Sequence, residues 1–367
     1  MDVYWIWLSE IKGIGPGTAK RMLDVFKNPE NIYQASKVEL EEVPGIGRGL
    51  SEVIATSRSL DHAERILEQT KRLNIKVLKI TDPLYPEEIK DIPESPTLLY
   101  YRGNLREYSM GVGIVGSRRC SNYGKEVTKE AAIFLAKNNI PVISGMAKGV
   151  DGYAHTACIK AGGYTITFLG NGLDICYPKE HGELMEKIIA TGAVISQYPP
   201  KTPAKREHFP KRNFLISLWS KKLLVAEAGQ KSGALITAKY SQDLQRQVFA
   251  APNSIYQQEG IGTNRLIADG ASIYIDPSQL LIEAPSITNA CALQQQGSTS
   301  YPTSQQAPTS LEQKILTTLK HETCNMDQLF SMLPEDRKTI IEAISIMELE
   351  GKVKILPSGI IVPLFSG

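Results

Sequence analysis

A doubly wound, mostly parallel α/β sheet is the fold class that the sequence predicts, and three observations predict it. Seven short apolar runs lie at 112–115, 141–144, 165–170, 193–198, 223–228, 248–252 and 272–276. Helical patterns at 151–161, 178–190, 212–220 and 234–245 fall between them, as crossovers joining parallel strands must. The first two runs each end in a glycine-rich turn, 116–118 and 145–152, and the helix between them carries Ala131, Ala132, Leu135 and Ala136 on one side. In such sheets ligands collect where strands end and helices begin, because free N–H groups and the positive helix end favour anions there.

The rest of the chain divides by composition. Residues 1–75 read as a small helical domain with two related stretches, 11–17 and 43–49, each an apolar residue, a gap and Gly-Ile-Gly before a helical pattern. Both resemble the helix–hairpin–helix motif of SAM-like domains, whose glycines let backbone approach a phosphate. The cations Lys12, Lys20, Arg21 and Arg48 are not densely clustered, so packing or protein contact stands beside nucleic-acid binding as a reading. Residues 76–110 hold Pro83, Pro86, Pro93 and Pro96 and read as an extended arm, with a possible strand at 97–102. The sheet domain covers 111–283. Residues 284–310, rich in Gln, Ser, Thr and Pro, read as a flexible linker. Residues 311–367 show three apolar helical stripes, then two short runs around 357–359, the plan of a winged-helix domain. Its expected recognition helix carries Arg337, Lys338, Glu342 and Glu348, a mixed face that leaves DNA reading and protein contact both open.

Composition excludes several classes. Hydrophobic residues make up 42% of the 367 and charged residues 22%, as in ordinary soluble domains, and no apolar run is long enough to span a membrane. The first residues show no basic leader or cleavage site, and the five scattered cysteines form no C-x-x-C pair, so a reduced cytoplasm without disulfide framework or zinc site is expected. The net charge of +2 means that any affinity for nucleic acid must come from a local patch. Gly111, Gly113 and Gly116 fit G-x-G-x-x-G, but the first two precede or lie within the apolar run, and no acidic residue ends the next strand. Neither a dinucleotide cofactor nor, lacking a Walker motif, P-loop ATP hydrolysis is expected.

Candidate binding residues follow from charge and position. Gly116, Ser117 and Arg118 form the first anion-ready turn; Ser144, Gly145, Lys148 and Gly149 form the second. A basic cluster then holds Lys201, Lys205, Arg206, Lys211, Arg212, Lys221 and Lys222, opposed by Glu207 alone, with Phe209 and Trp219 interleaved. Cations beside an aromatic ring suit single-stranded nucleic acid, the charges tracking phosphates and the ring stacking a base. The alternative is a solvated loop with Trp219 buried.

The stretches GSRRCSNYG, SGMAKGVDGYAH, GGYTITFLGNGLDICYP, FPKRN, EAGQKSGALITA and GTNRLIADGA resemble the DNA-processing protein A family (DprA, also called Smf) over about residues 1–280. The resemblance implies a Rossmann-like core that forms a homodimer, binds and protects single-stranded DNA, and helps load RecA during natural transformation, without established catalysis. It carries over Gly116, Ser117 and Arg118, then Ser144, Gly145, Lys148 and Gly149, and the loop of Phe209, Lys211 and Arg212. Three positions depart from the family pattern: Gln197 stands where Glu is frequent, Phe214 where a second Arg is, and Asn253-Ser254 where Gly is usual. The apolar helix of Leu215, Ile216, Leu218 and Trp219 is the one observable bearing on a dimer, and a buried core would look the same.

A rival reading is a nucleotide-processing enzyme resembling phosphoribohydrolases. Asp151 and His155, one helical turn apart, would form a proton-transfer pair, and Glu227 with Ser232 a second polar pair. The P-G-G-x-G-T-x-x-E signature of those enzymes is absent, and helix capping plus buried hydrogen bonding is the preferred account of Asp151 and His155. His181 and His208 have no carboxylate at matching spacing, so no metal is expected.

Overall fold

The computed structural model describes residues 2–107, 110–282, 310–321, 324–356 and 358–364. The chain divides into two compact units at Leu280 and Leu281. The expected linker at 284–310 lies, but for Ser310, outside the described residues.

Six helices come first: α1 (Asp2–Glu10), α2 (Pro16–Phe26), α3 (Pro29–Gln34), α4 (Lys37–Glu41), α5 (Arg48–Thr56) and α6 (Asp61–Arg72). Trp5, Ile6, Trp7, Leu8, Met22, Ile32, Leu40 and Ile54 form their core. The two Gly-Ile-Gly stretches are equivalent hairpins. Gly13 and Gly45 turn at φ 85° and 83°, and Gly15 and Gly47 are the N-caps of α2 and α5, with no side-chain cap. Two of the four cations in and after these turns are committed within the fold. The Lys20 ammonium donates to the carbonyls of Lys90 and Ile92, and Arg21 donates to Pro44 O (2.9 Å) and Thr18 Oγ1 (3.1 Å).

The nine-stranded sheet has the order β1-β2-β6-β5-β4-β3-β7-β8-β9. The arm differs from the extended linker expected of it. β1 (Lys76–Lys79) and β2 (Leu98–Gly103), separated by α7 (Glu87–Lys90), pair antiparallel, and β2 continues antiparallel onto β6 (Ala193–Ser196). The reason is burial: Leu98, Leu99 and Tyr100 are covered on both faces, and Tyr85 packs edge-on against Trp219 at 5.2 Å. Prolines thus bound an edge ribbon rather than preventing one.

From β3 (Gly111–Gly116) through α8 (Asn122–Lys137), β4 (Val142–Ser144), α9 (Val150–Lys160), β5 (Thr165–Leu169) and α10 (Gly182–Thr191) to β6, the chain winds toward one edge. It then crosses back through α11 (His208–Trp219) to β7 (Ser220–Glu227), on the other side of β3. α12 (Ala234–Asp243), β8 (Gln247–Ala250), α13 (Ile261–Ala268) and β9 (Ser272–Ile273) complete it. All seven expected strands are present and parallel; β3 to β6 and most of β7 and β8 are buried on both faces, which explains why they read as continuous apolar runs, while the edge strand β9 is exposed at Ile273. Reversal of winding makes β3/β7 the topological switch point, where ligands of open α/β sheets bind. Gly111 and Gly113 lie inside β3, and a Cβ on either would meet Pro141 O or Ser220 Oγ, so they serve packing rather than a phosphate. Leu215, Ile216, Leu218 and Trp219 are all buried within this unit; the apolar face of α11 is core and offers no surface to a second copy.

The second unit contains α14 (Ser310–His321), β10 (Cys324–Asn325), α15 (Met326–Met332), α16 (Arg337–Leu349), β11 (Val353–Ile355) and β12 (Ile360–Pro363). β12 pairs with both β11 and β10, a third strand absent from the sequence reading. Ile315, Leu319, Leu329, Ile340, Ile344, Met347, Val353 and Ile361 fill the core between helices and sheet. Among the described residues no helix is long and apolar enough to cross a membrane.

Candidate nucleic-acid interface

The turn after β3 is held from below by the end of β7. Ser117 N–H donates to Glu227 O (2.8 Å), and the fully buried Glu227 carboxylate accepts from Ser121 N–H (2.9 Å) and from the Ser121 hydroxyl. Ser121 in turn caps α8, accepting from Gly124 N–H (3.2 Å), and Gly124 has no side chain because a Cβ there would lie 2.8 Å from the Glu227 carboxylate. A carboxylate at the start of α8 also complements the helix dipole. Glu227 therefore pairs with Ser121, 106 residues away, and not with Ser232. So anchored, the turn presents Arg118 and Arg119 to solvent.

The turn after β4 abuts the first. Val150 N–H donates to Ser117 O (3.2 Å), and Gly149, at φ 75°, packs so closely that a Cβ would lie 2.3 Å from that oxygen. Asp151 is not the helix cap; Gly149 occupies that position, and Asp151 in the first turn of α9 reaches back to accept from Gly145 N–H (3.2 Å) and Ala147 N–H (3.3 Å). The buried Arg212 donates to Gly145 O and to Phe168 O (3.3 Å), fastening the same turn from α11. Burial raises the Asp151 carboxyl above its ordinary pKa, against the pull of the Arg212 charge and the N–H donors; burial likewise lowers Arg212. Ser144 is spent inward, donating to Ile114 O (2.6 Å), and Lys148 is ion-paired with Glu180.

A cavity of about 800 Å³ opens at this switch point. Of the binding residues expected from the sequence, Gly116, Ser117, Arg118, Arg206, Phe209 and Arg212 line it. Ser144, Gly145 and Gly149 build the turn behind it, while Lys148 and Lys211 are exposed outside its lining. Phe209 is half-buried, resting over Gly170, with the guanidinium carbons of Arg118 and Arg212 each 5.7 Å from its ring centre. Arg212 thus differs from its expected role as a phosphate ligand: two carbonyls hold its Nη1, and its charge acts from the floor. Arg119, Gln258 and the loop Gly229, Gln230, Lys231, Ser232 and Gly233 also line the cavity; of these the sequence had pointed to Ser232 alone, and as a partner of Glu227 rather than as a binding residue. Only the strand order, which brings β7 beside β3, reveals that loop; the adjacent arginine at 119 was a visible signal.

Asp151 and His155 do not form a proton-transfer pair. Thr165 Oγ1 donates to Val142 O (2.8 Å), so it accepts from His155 Nδ1–H (2.7 Å), leaving Nε2 buried without a partner. Burial, with Arg212 and His181 nearby, pushes the His155 pKa down to about 3, so the ring is neutral and sealed. His181 contacts Met146 O (3.0 Å) and His208 contacts Gly170 O (2.9 Å), both through Nδ1. Among the described residues no group of three His, Cys, Asp or Glu side chains converges as metal ligands would. Phe214, where the resembled pattern has an arginine, packs edge-on against Tyr240 at 5.6 Å, a packing role. Asn253 exchanges two 2.9 Å hydrogen bonds with Asn264, and Gly260 makes room for its side chain.

Comparison with known proteins agrees with this architecture. The family model described as DNA recombination-mediator protein A matches residues 76–285, and a SAM-like helix-hairpin-helix tandem matches 8–52. Protein Smf of Synechocystis sp. is 39% identical over 285 residues, covering 76% of this chain and 72% of its own. DNA processing protein DprA of Streptococcus pneumoniae is 34% identical over 269 residues, 72% of this chain and 93% of that protein. The X-ray structure of the S. pneumoniae protein superposes with a TM-score of 0.65 at 30% identity, over 76% of this chain and 96% of that one. A Helicobacter pylori DNA processing protein A structure, described as giving insights into its single-stranded DNA binding mode, matches with a TM-score of 0.50 at 28% identity, over 56% of this chain and 93% of that one. Sequence and fold together place the chain in the DNA recombination-mediator protein A family.

Proposed function

We propose that this protein binds and protects single-stranded DNA in the cavity between β3 and β7 and hands it to RecA for recombination during DNA uptake, in the cytoplasm and without catalysis. The observation that carries this reading is one cavity lined by four exposed cations, Arg118, Arg119, Arg206 and Lys231, together with the Phe209 ring. Such a site tracks a phosphate backbone and stacks a base. The H. pylori relative, whose structure is described by its single-stranded DNA binding mode, supports the ligand class.

The protein acts as a homodimer in this reading, through a surface other than the buried face of α11. Residues 311–367 serve as a winged-helix module that contacts protein: Arg337 lies over the Phe330 ring (5.3 Å) and Lys338 faces Glu342 (3.8 Å), leaving α16 little uncommitted charge for DNA. Fluorescence anisotropy with single-stranded and duplex oligonucleotides tests the central claim. Tighter binding of the single strand, weakened by Phe209→Ala, is expected; equal affinities with no effect of Phe209→Ala would rule it out. RecA filament growth on coated single strands, with and without the protein, tests loading, and light scattering tests the dimer.

A further inference from the structure

We propose that Tyr177 is a second stacking platform beside Phe209, so that the site takes two consecutive unpaired bases, one on each ring. The inference rests on the reading that the cavity holds single-stranded DNA. Tyr177 belongs to the loop between β5 and α10, whereas Phe209 starts α11 and lines the cavity, yet their ring centres are 5.6 Å apart. The rings are inclined at 45° and so are not stacked on each other. Tyr177 is 42% exposed.

The loop that carries Tyr177 is held in place. Asn171 Nδ2 donates to Ile175 O (2.7 Å) and Gly172 O (3.0 Å), and Asp174 accepts from Lys201 N–H (2.8 Å). A ring fixed in this way loses little conformational entropy when a base covers it. The inclination also selects the strand. Bases lying flat on rings inclined at 45° are tilted against each other and so cannot be stacked in parallel as neighbours in a duplex are. An unpaired strand can open to that angle and a duplex cannot, which gives the cavity a physical basis for preferring single strands.

The test is equilibrium binding of the full-length protein to a thymidine oligonucleotide and to an abasic oligonucleotide with the same backbone. Tyr177→Ala is expected to weaken binding to the thymidine oligonucleotide by about 5- to 150-fold, the range for one stacked base. It should leave the abasic affinity unchanged, and Tyr177→Phe should behave as the parent. The double variant with Phe209→Ala should lose close to the product of the two single losses. Unchanged thymidine affinity in Tyr177→Ala overturns the proposal. So does an equal loss on both oligonucleotides, which means a backbone or structural role, or a double variant no weaker than Phe209→Ala, which means that Tyr177 only props Phe209. Weakening by Phe209→Ala alone leaves the cavity as the DNA site and removes only the second ring; no binding by the parent removes both.

Discussion

Glu227 and Ser121 are joined by two hydrogen bonds, from the Ser121 N–H and hydroxyl into one buried carboxylate, and this contact fixes the turn that presents Arg118 and Arg119. Replacing Glu227 by Ala leaves the Ser121 N–H buried without its acceptor. The expected cost is about 1–3 kcal/mol of stability, together with weaker DNA binding because the arginine turn loosens. Urea denaturation and oligonucleotide anisotropy on the same preparation check both. Full stability and full affinity would show that the turn is held by other contacts.

Arginine and lysine positions separate by how committed they already are. Arg118→Ala and Arg119→Ala should each reduce affinity and flatten the dependence of log K on log salt by about 0.7 per lost phosphate contact. Lys148→Ala should do less, since its ammonium already faces Glu180 outside the cavity lining. Affinities measured across a salt series decide it; equal slopes for Arg118→Ala and Lys148→Ala would assign the two turns equal roles.

The sheet was readable because its central parallel strands are buried on both faces, so 112–115 or 223–228 appear as unbroken apolar runs. The two glycine turns were readable for a local reason as well: strand end, small residues and a cation lie within a few positions of one another. What depended on strand order was not readable. The pairing of Glu227 with Ser121 spans 106 residues, and the loop at 229–233 enters the cavity only because β7 returns beside β3. Spacing alone does not make a pair of Asp151 and His155. An i, i+4 interval puts two residues on one helix face, but Asp151 sits in the first turn, where unpaired N–H groups of the preceding loop compete for it.

The buried His155 predicts an acid limb in the stability curve. Its pKa is about 3 in the folded protein against 6.5 when exposed, so below pH 6.5 the unfolded chain takes up a proton that the native state refuses. Stability from this group is complete above pH 6.5 and falls as pH drops toward 3, with a limiting slope of about 1.4 kcal/mol per pH unit. His181, also lowered by burial, adds to the same limb. Denaturation midpoints at pH 7, 6 and 5 should therefore fall more steeply for the parent than for His155→Leu, whatever the offset at pH 7. Parallel curves would mean that His155 titrates normally in the fold.

Arg212 is expected to act as a clamp more than as a phosphate ligand, and its partner makes this measurable. Arg212→Met removes the donors to Gly145 O and Phe168 O and leaves the Asp151 carboxyl buried without its countercharge. Breaking a buried pair from one side costs about 3–5 kcal/mol, whereas removing both charges costs far less. Arg212→Met with Asp151→Asn should therefore be more stable than the sum of the single losses implies, a coupling that urea denaturation of all four proteins resolves. DNA binding in Arg212→Met should fall mainly through disorder of the 145–149 turn and recover in part in the double variant. The opposite pattern, unchanged stability with abolished binding that Asp151→Asn does not restore, would make Arg212 a direct ligand of the DNA backbone.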